Sequence, residues 1–393
     1  MSNGIFRHLG RRIGFTALAT LTLVPASLWA DTFLVNRYAD ENDGVCDERN
    51  CSLREAVLAA NHHPGFDAIV LWPGVYKLSI AGAGEDAGAT GDLDVTDDVL
   101  IVGLILDPSS RNAVIDGGAI DRVLDVHEPV ITVLQNITIR RGKTSGTLEA
   151  GGGIRNRGTL ALDESLVTGS SASGFGGGIY SDGPGSLLTL DASTVAGNKA
   201  TGGGGGIAVG GRVEARNSTI SGNRSVTDFG GGVYRFSAFF ENSASFFHNV
   251  TLTANRAGQR GGGLFVEEPV DVPLRIANSI LAANSAPADP DCLGPIFSEG
   301  YNLAGEGEGC PGFMASVHDL AGSAAAPLDP VLSRLGDNGG PTPTHALLPG
   351  SPAINAGNPA TPGSAAGCEK TDQRLLRRRN TRCDIGSFER GAR

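Results

Sequence analysis

The sequence predicts an all-β fold: a right-handed, single-stranded parallel β-helix with a short N-terminal capping helix. Three observations carry this. First, a glycine triplet followed by an aliphatic residue recurs five times: Gly151-Gly-Gly-Ile154, Gly176-Gly-Gly-Ile179, Gly204-Gly-Gly-Ile207, Gly230-Gly-Gly-Val233 and Gly261-Gly-Gly-Leu264. The aliphatic residues lie 25, 28, 26 and 31 residues apart. Second, another mark runs in step, from Glu164–Ser170 through Ala192–Asn198, Asn217–Asn223 and Asn249–Asn255 to Asn278–Asn284. Third, short apolar runs such as Leu187-Leu-Thr-Leu190 fill the space between the marks. Each unit thus holds about three short strands separated by turn residues. One unit cannot bury its own apolar face, but a stack of them can.

The turn residues follow from backbone physics. Glycine reaches positive φ without a Cβ clash, and asparagine tolerates the left-handed region better than most residues. Asn198, Asn223, Asn255 and Asn284 are expected to stack at one corner, their amides hydrogen-bonding along the ladder. The glycine tracts do not read as phosphate loops: none carries G-x-G-x-x-G, and Gly142-Lys143-Thr144 lacks the required first glycine. The calcium-binding nonapeptide is also missing.

Four segments are expected. Residues 1–30 read as a signal peptide, with Arg7, Arg11 and Arg12 ahead of the apolar run Ile13–Val24 and a small residue, Ala30, at the cut. Ordinary secretion is favoured over the twin-arginine route. Residues 31–92 form an N-terminal cap, 93–285 the β-helix repeats, and 286–393 the C-terminal coils with a disulfide-stapled cap. In the cap, Leu53, Val57 and Leu58 share one face of a helix that Ser52 and Glu55 begin as a capping box, and His62-His63 ends it. Strands follow at Ala68–Trp72 and Val75–Ile80. After the signal, no stretch is long and apolar enough for a transmembrane segment.

Composition narrows the partners. The chain of 393 residues has 58 glycines, no collagen period, and 40% hydrophobic residues, enough for a core. The first thirty residues hold three Arg and no acid, so their removal takes the formal net charge from −11 to −14. Such a surface disfavours nucleic acid and anionic membranes. The basic cluster Arg374, Arg377, Arg378, Arg379 and Arg382 is expected to be a solvated loop. Six cysteines fall into local pairs, Cys46 with Cys51, Cys292 with Cys310, and Cys368 with Cys383, which export would allow to oxidise. They have no zinc spacing, and spacing alone does not fix their pairing.

The ends carry a resemblance. Ala39-Asp-Glu-Asn-Asp-Gly44 with Cys51-Ser-Leu-Arg-Glu-Ala56, followed by Gly91-Asp-Leu-Asp-Val95 and Ile115-Asp-Gly-Gly118, resembles the CSLREA domain of bacterial surface and secreted proteins. Asp337–His345, Gly350–Asn355, Asp372-Gln-Arg374 and Asp384-Ile-Gly-Ser-Phe-Glu389 resemble the choice-of-anchor Q domain. The repeats are similar to those of polymorphic outer-membrane proteins. The resemblance implies a pectin-lyase-like solenoid, secreted or at the bacterial cell surface or outer membrane, and no settled activity. Anchor-type relatives continue into a sorting tail or barrel; a chain stopping at Arg393 points to release or loose attachment.

No catalytic set is assigned. A lyase needs a base with a group neutralising a uronate, and a glycosidase needs paired carboxylates. Lys143 and Lys199 align with no acidic ladder. Asp116 reads as part of a turn, and Asp121 and Asp125 as structural. His127, His248, His318 and His345 read as isolated, without a nucleophile nearby. The calcium reading of Asp40–Gly44 fails on its spacing. No metal and no cofactor are expected. The residues after the aliphatic ones are Arg155, Tyr180, Ala208, Tyr234 and Phe265. Strand alternation turns them outward, with Asp182 nearby. Arg155, Tyr180, Asp182, Tyr234 and Phe265 form either a ligand-binding face suited to sugar rings or a sheet-stabilising aromatic stack. The function expected is non-catalytic: adhesion, glycan or partner recognition, or envelope structure, by a monomer facing extracellular polysaccharide or a host or envelope surface. The alternative is an extracellular polysaccharide lyase or glycoside hydrolase.

Overall fold

The computed structural model describes residues 30–106, 113–236, 244–268, 273–315, 318–365, 367–379 and 382–392. The signal-peptide reading lies almost wholly outside them. One coil shows how the rest is built. Ile154–Asn156 lies in one sheet, Thr159–Asp163 in a second and Leu166–Thr168 in a third. Ser171–Ala172 makes a fourth, short strand, and the chain returns through Gly176–Gly178 to Ile179, one rung along. All the inter-strand pairings of the four sheets are parallel, and the sheets hold eight, ten, ten and three strands respectively. The described residues form an all-β parallel solenoid with two short helices.

The register matches the repeat. Ile154, Ile179, Ile207, Val233 and Leu264 pair in one column, which Leu93 and Leu124 extend at one end and Cys292 at the other. All eight are fully buried. Leu160, Leu188 and Val213 from the second sheet, and Val167, Val195 and Ile220 from the third, close the core.

The asparagine ladder forms. Asn198 Nδ2 donates to Asn223 Oδ1 at 3.1 Å, Asn223 to Asn255 at 3.0 Å, Asn255 to Asn284 at 3.0 Å, and Asn284 to Asp291 at 2.9 Å. Each acceptor also takes the backbone N–H of the preceding ladder residue. The ladder is buried within the corner, so these amides satisfy backbone groups that water does not reach. Left-handed backbone falls on other positions: Asn217, Asn249 and Asn278 open the second mark, and Gly197 and Gly222 precede ladder residues.

Helix α1 (Leu53–His62) starts at the capping box of Ser52 and Glu55 and lays Leu53, Ala56, Val57 and Ala60 on the first coil. Arg54 is fully buried. Its guanidinium pairs with Asp40 at 2.8 Å and donates to the carbonyls of Gly88, Gly91 and Asp92. Asp40 also accepts from the N–H groups of Ser79 and Ile80. Those bonds draw the chain off the sheet, so the strand expected at Val75–Ile80 ends at Lys77. The preceding strand runs Asp67–Leu71.

Coils continue to Leu320–Ala321, past the short helix α2 (Pro311–Ala315). The chain then runs back along the outer face of the third sheet. Thr342 Oγ1 donates to the carbonyl of Ala192, Gln373 binds Thr194 and Thr219, and Ser387 binds Thr251. Leu347, Ala353, Ile385 and Phe388 pack on Ile280, Ala282 and Leu303. The arginine cluster departs from the expected solvated loop. Arg378 is fully buried, bound to Glu389, the carbonyl of Gly386 and Asn217. Arg374 pairs with Asp372 at 2.7 Å and stacks 3.7 Å over Phe388. The partners of Arg378 come from the following turn and from a coil far back in sequence, which a local charge run does not reveal. Arg377, Arg379 and Arg382 are exposed. Three disulfides join Cys46 to Cys51, Cys292 to Cys310 and Cys368 to Cys383.

Candidate functional site

The outward column of the eight-stranded sheet reads Asp94, Asp125, Arg155, Tyr180, Ala208, Tyr234, Phe265 and Leu293. Rungs are about 4.8 Å apart, so charge and aromatic area follow one another along a single line. It is acidic at one end, changes sign at Arg155, and is aromatic thereafter.

Tyr180, Tyr234 and Phe265 are half-buried, as outward strand residues should be. Loop aromatics join them. Phe236 stacks on Tyr180 at 5.9 Å and meets Tyr234 at 5.6 Å. Tyr234 meets Phe265 at 5.6 Å and Phe175 at 6.1 Å, and Phe229 stacks on Phe265 at 4.6 Å. Small residues make room: Ala208 is the rung between the tyrosines, and an added Cβ on Gly210 would strike the Phe236 ring. Tyr180 donates to Asp182 and Tyr234 to Glu267, each at 3.1 Å. Burial, then the adjoining carboxylates, holds both phenols well above their ordinary pKa, so they remain O–H donors. Asp182 and Glu267 therefore border the rings.

The acidic end is denser than its sequence suggests. His127 Nε2 lies 2.9 Å from Asp94 Oδ1, and Asp94 Oδ2 accepts from Gly88 N–H. Arg122 bridges Asp92 at 3.2 Å and Asp125 at 3.3 Å; Arg157 reaches Asp125 at 3.3 Å, and Arg155 at 3.8 Å. Burial pushes the Asp92 carboxyl up to about 7; Arg122 opposes this, while Asp121, Asp94 and Asp125 reinforce it. The Asp94 hydrogen bond raises the His127 pKa. Asp86, Asp94, Asp125 and His127 each offer a ligand atom, all within 4.8 Å of one another. A cation held there would compete with His127 for Asp94 and with three arginines for Asp125.

The structure brings together Arg155, Tyr180, Asp182, Tyr234 and Phe265 as expected of strand alternation. Sequence reasoning missed Asp92, Asp94 and Arg122 at one end and Phe175, Phe229 and Phe236 at the other. The -Leu-Asp-Val- triplets at 93–95 and 124–126 were the available signal, because both carry the aliphatic-then-outward pattern without a glycine triplet.

The histidines are not isolated, which corrects that expectation. Besides His127, His248 pairs with Glu369 at 2.8 Å and His318 stacks on Tyr301. His345 Nε2 lies 2.8 Å from Ser221 Oγ, and its Nδ1 lies 2.7 Å from the Ser333 carbonyl. Burial lowers the His345 pKa. This serine–histidine pair is sealed under the returning C-terminal segment, where it joins that segment to the coils. Each partner comes from another coil or from the C-terminal segment. No protein-family model matches this chain, and no curated protein matches it.

Proposed function

We propose that this protein is a non-catalytic, exported recognition solenoid that seats a glycan along its aromatic column. The observation that carries the reading is the in-register run Tyr180, Tyr234 and Phe265, widened by Phe236, Phe175 and Phe229 and bordered by Asp182 and Glu267. Aromatic faces give pyranose C–H faces an apolar seat, and carboxylates accept sugar hydroxyls with charge-assisted bonds. Disulfides and the resemblance at both chain ends support a place outside the cell or at its envelope. The described helices include none long and apolar enough to cross a membrane.

A glycan array probed with wild type and with the Tyr180→Ala/Tyr234→Ala variant tests this. Retention of a glycan class by wild type, lost in the variant, is the expected result. Unchanged retention, or none by wild type, contradicts it.

A hydrolytic reading has one observation behind it: Asp92, with a raised pKa, lies beside Asp94 and Asp125. A general acid must touch its substrate, yet Asp92 is 2% exposed, and arginines or His127 hold its neighbours. Incubation with neutral and acidic polysaccharides checks this reading; new reducing ends or unsaturated uronates would favour it.

A further inference from the structure

A second line of outward residues has no part in the aromatic column. The fourth, short sheet pairs Ser171 with Lys199 and Lys199 with Arg224. Isolated bridges extend the row to Lys143 at one end and to Arg256 and Ser285 at the other. The row therefore reads Lys143, Ser171, Lys199, Arg224, Arg256, Ser285, with four cations on six consecutive rungs. Their strand partners Ala172, Ala200 and Ser225 point into the core, which turns Ser171, Lys199 and Arg224 outward. All four cations are exposed.

Two features make the row unusual. Five other coil arginines, Arg122, Arg140, Arg157, Arg216 and Arg275, each pair with a carboxylate. Among the described residues, none of the four row cations has an ion-pair partner within 4 Å, although acids outnumber bases in the chain, 42 to 31. Like charges on facing strand positions repel, so the fold tolerates this row without internal compensation. An open cleft of about 400 Å³, lined by Arg224, Arg256 and Ser285, also lies at one end of it.

We propose that this row is a binding track for a linear acidic polysaccharide, with carboxylate or sulfate groups meeting successive cations. The row runs straight along the solenoid at one rung per about 4.8 Å, a step close to the length of one pyranose unit. The serines at its gaps and end can hydrogen-bond sugar hydroxyls. Nucleic acid fits less well, because single-strand binding combines cations with aromatic platforms and the row contains no aromatic residue. The track is independent of the aromatic column and stands whether or not that column binds a neutral glycan.

The test measures binding of the purified protein to polygalacturonate, heparin oligosaccharide, neutral dextran and a single-stranded DNA oligonucleotide. Two variants with equal charge change are compared: Lys199→Glu/Arg224→Glu on the row, and Lys370→Glu/Arg377→Glu at exposed positions off it. Wild type and the off-row variant are expected to bind one or both acidic glycans, with affinity falling as salt rises; any dextran binding is expected to be equal in wild type and both variants. The row variant is expected to lose about tenfold or more while keeping its circular dichroism spectrum. Equal loss in both variants would reduce the effect to net charge and overturn the proposal. So would unchanged binding by the row variant, binding of DNA alone, or no binding of either acidic glycan by wild type.

Discussion

At the scale of single residues, the three positions of a glycine triplet resist a side chain for different reasons. Gly204 has φ +70°, and its added Cβ would lie 2.5 Å from the Ile207 carbonyl oxygen. Gly205 packs against the backbone of Arg224, and Gly206 against the amide of Asn223 in the ladder. The middle glycine thus lets the short basic strand approach. By contrast, Gly185 has φ +78° with nothing within 4 Å of its added Cβ. Gly185→Ala should cost about 1 kcal/mol from backbone strain alone. Gly205→Ala should cost about 3 kcal/mol, because backbone must shift. Equal midpoints in chemical denaturation would contradict this. Titration gives a second residue-scale prediction. Asp92 has a raised folded pKa, so its contribution is most favourable below its unfolded value near 4 and declines as pH rises to about 7. His127 also has a raised folded pKa; its contribution is full below its unfolded value near 6.5 and is lost as pH rises through the raised value. Both contributions to the first coils therefore weaken from pH 4 to pH 8. Asp92→Asn should flatten the acidic part of that slope in thermal unfolding, and an unchanged slope would count against it.

At the scale of elements, α1 is held by one buried arginine as well as by its apolar face. Arg54 neutralises Asp40, whose side chain is 1% exposed, and satisfies three carbonyls. Arg54→Met should therefore destabilise by about 3–5 kcal/mol, the cost of leaving a buried charge unpaired. Ser52→Ala should cost only about 1 kcal/mol. Denaturant melts of the two variants check the contrast. The helix, its cap and the five glycine-marked rungs were legible in the sequence, because capping and turn chemistry are local. The acidic end was not. Asp94 and Asp125 meet only through the register of coils that carry no glycine triplet, and Arg122 joins Asp92 across 30 positions. The basic row escaped for a related reason: its strands are two residues long, too short for alternation to show.

At the scale of the whole molecule, coils stacked in parallel bury one continuous core, while the C-terminal segment closes one side. That segment's polar contacts reach coils about 150 residues earlier. Arg378 binds Asn217 across 161 positions, which is why its burial could not be read from a local arginine run. Truncation after Ala321 should expose Ile280, Ala282 and Leu303 together with the buried Thr194 and Thr219. Exposed apolar area on this scale promotes association, so the truncated protein should elute as aggregate in size-exclusion chromatography. A stable truncated monomer would contradict the role given to the segment. The two outward lines, aromatic and basic, run along the same coils and share the solenoid's rigidity. This gives the molecule extended, preformed surfaces of the kind that suit linear ligands. The most direct test of the central claim is calorimetric titration of the glycan retained on the array into wild type and into Tyr234→Ala. The expected result is about tenfold or greater loss of affinity with an unchanged far-ultraviolet circular dichroism spectrum. Equal affinity in the two proteins would contradict it.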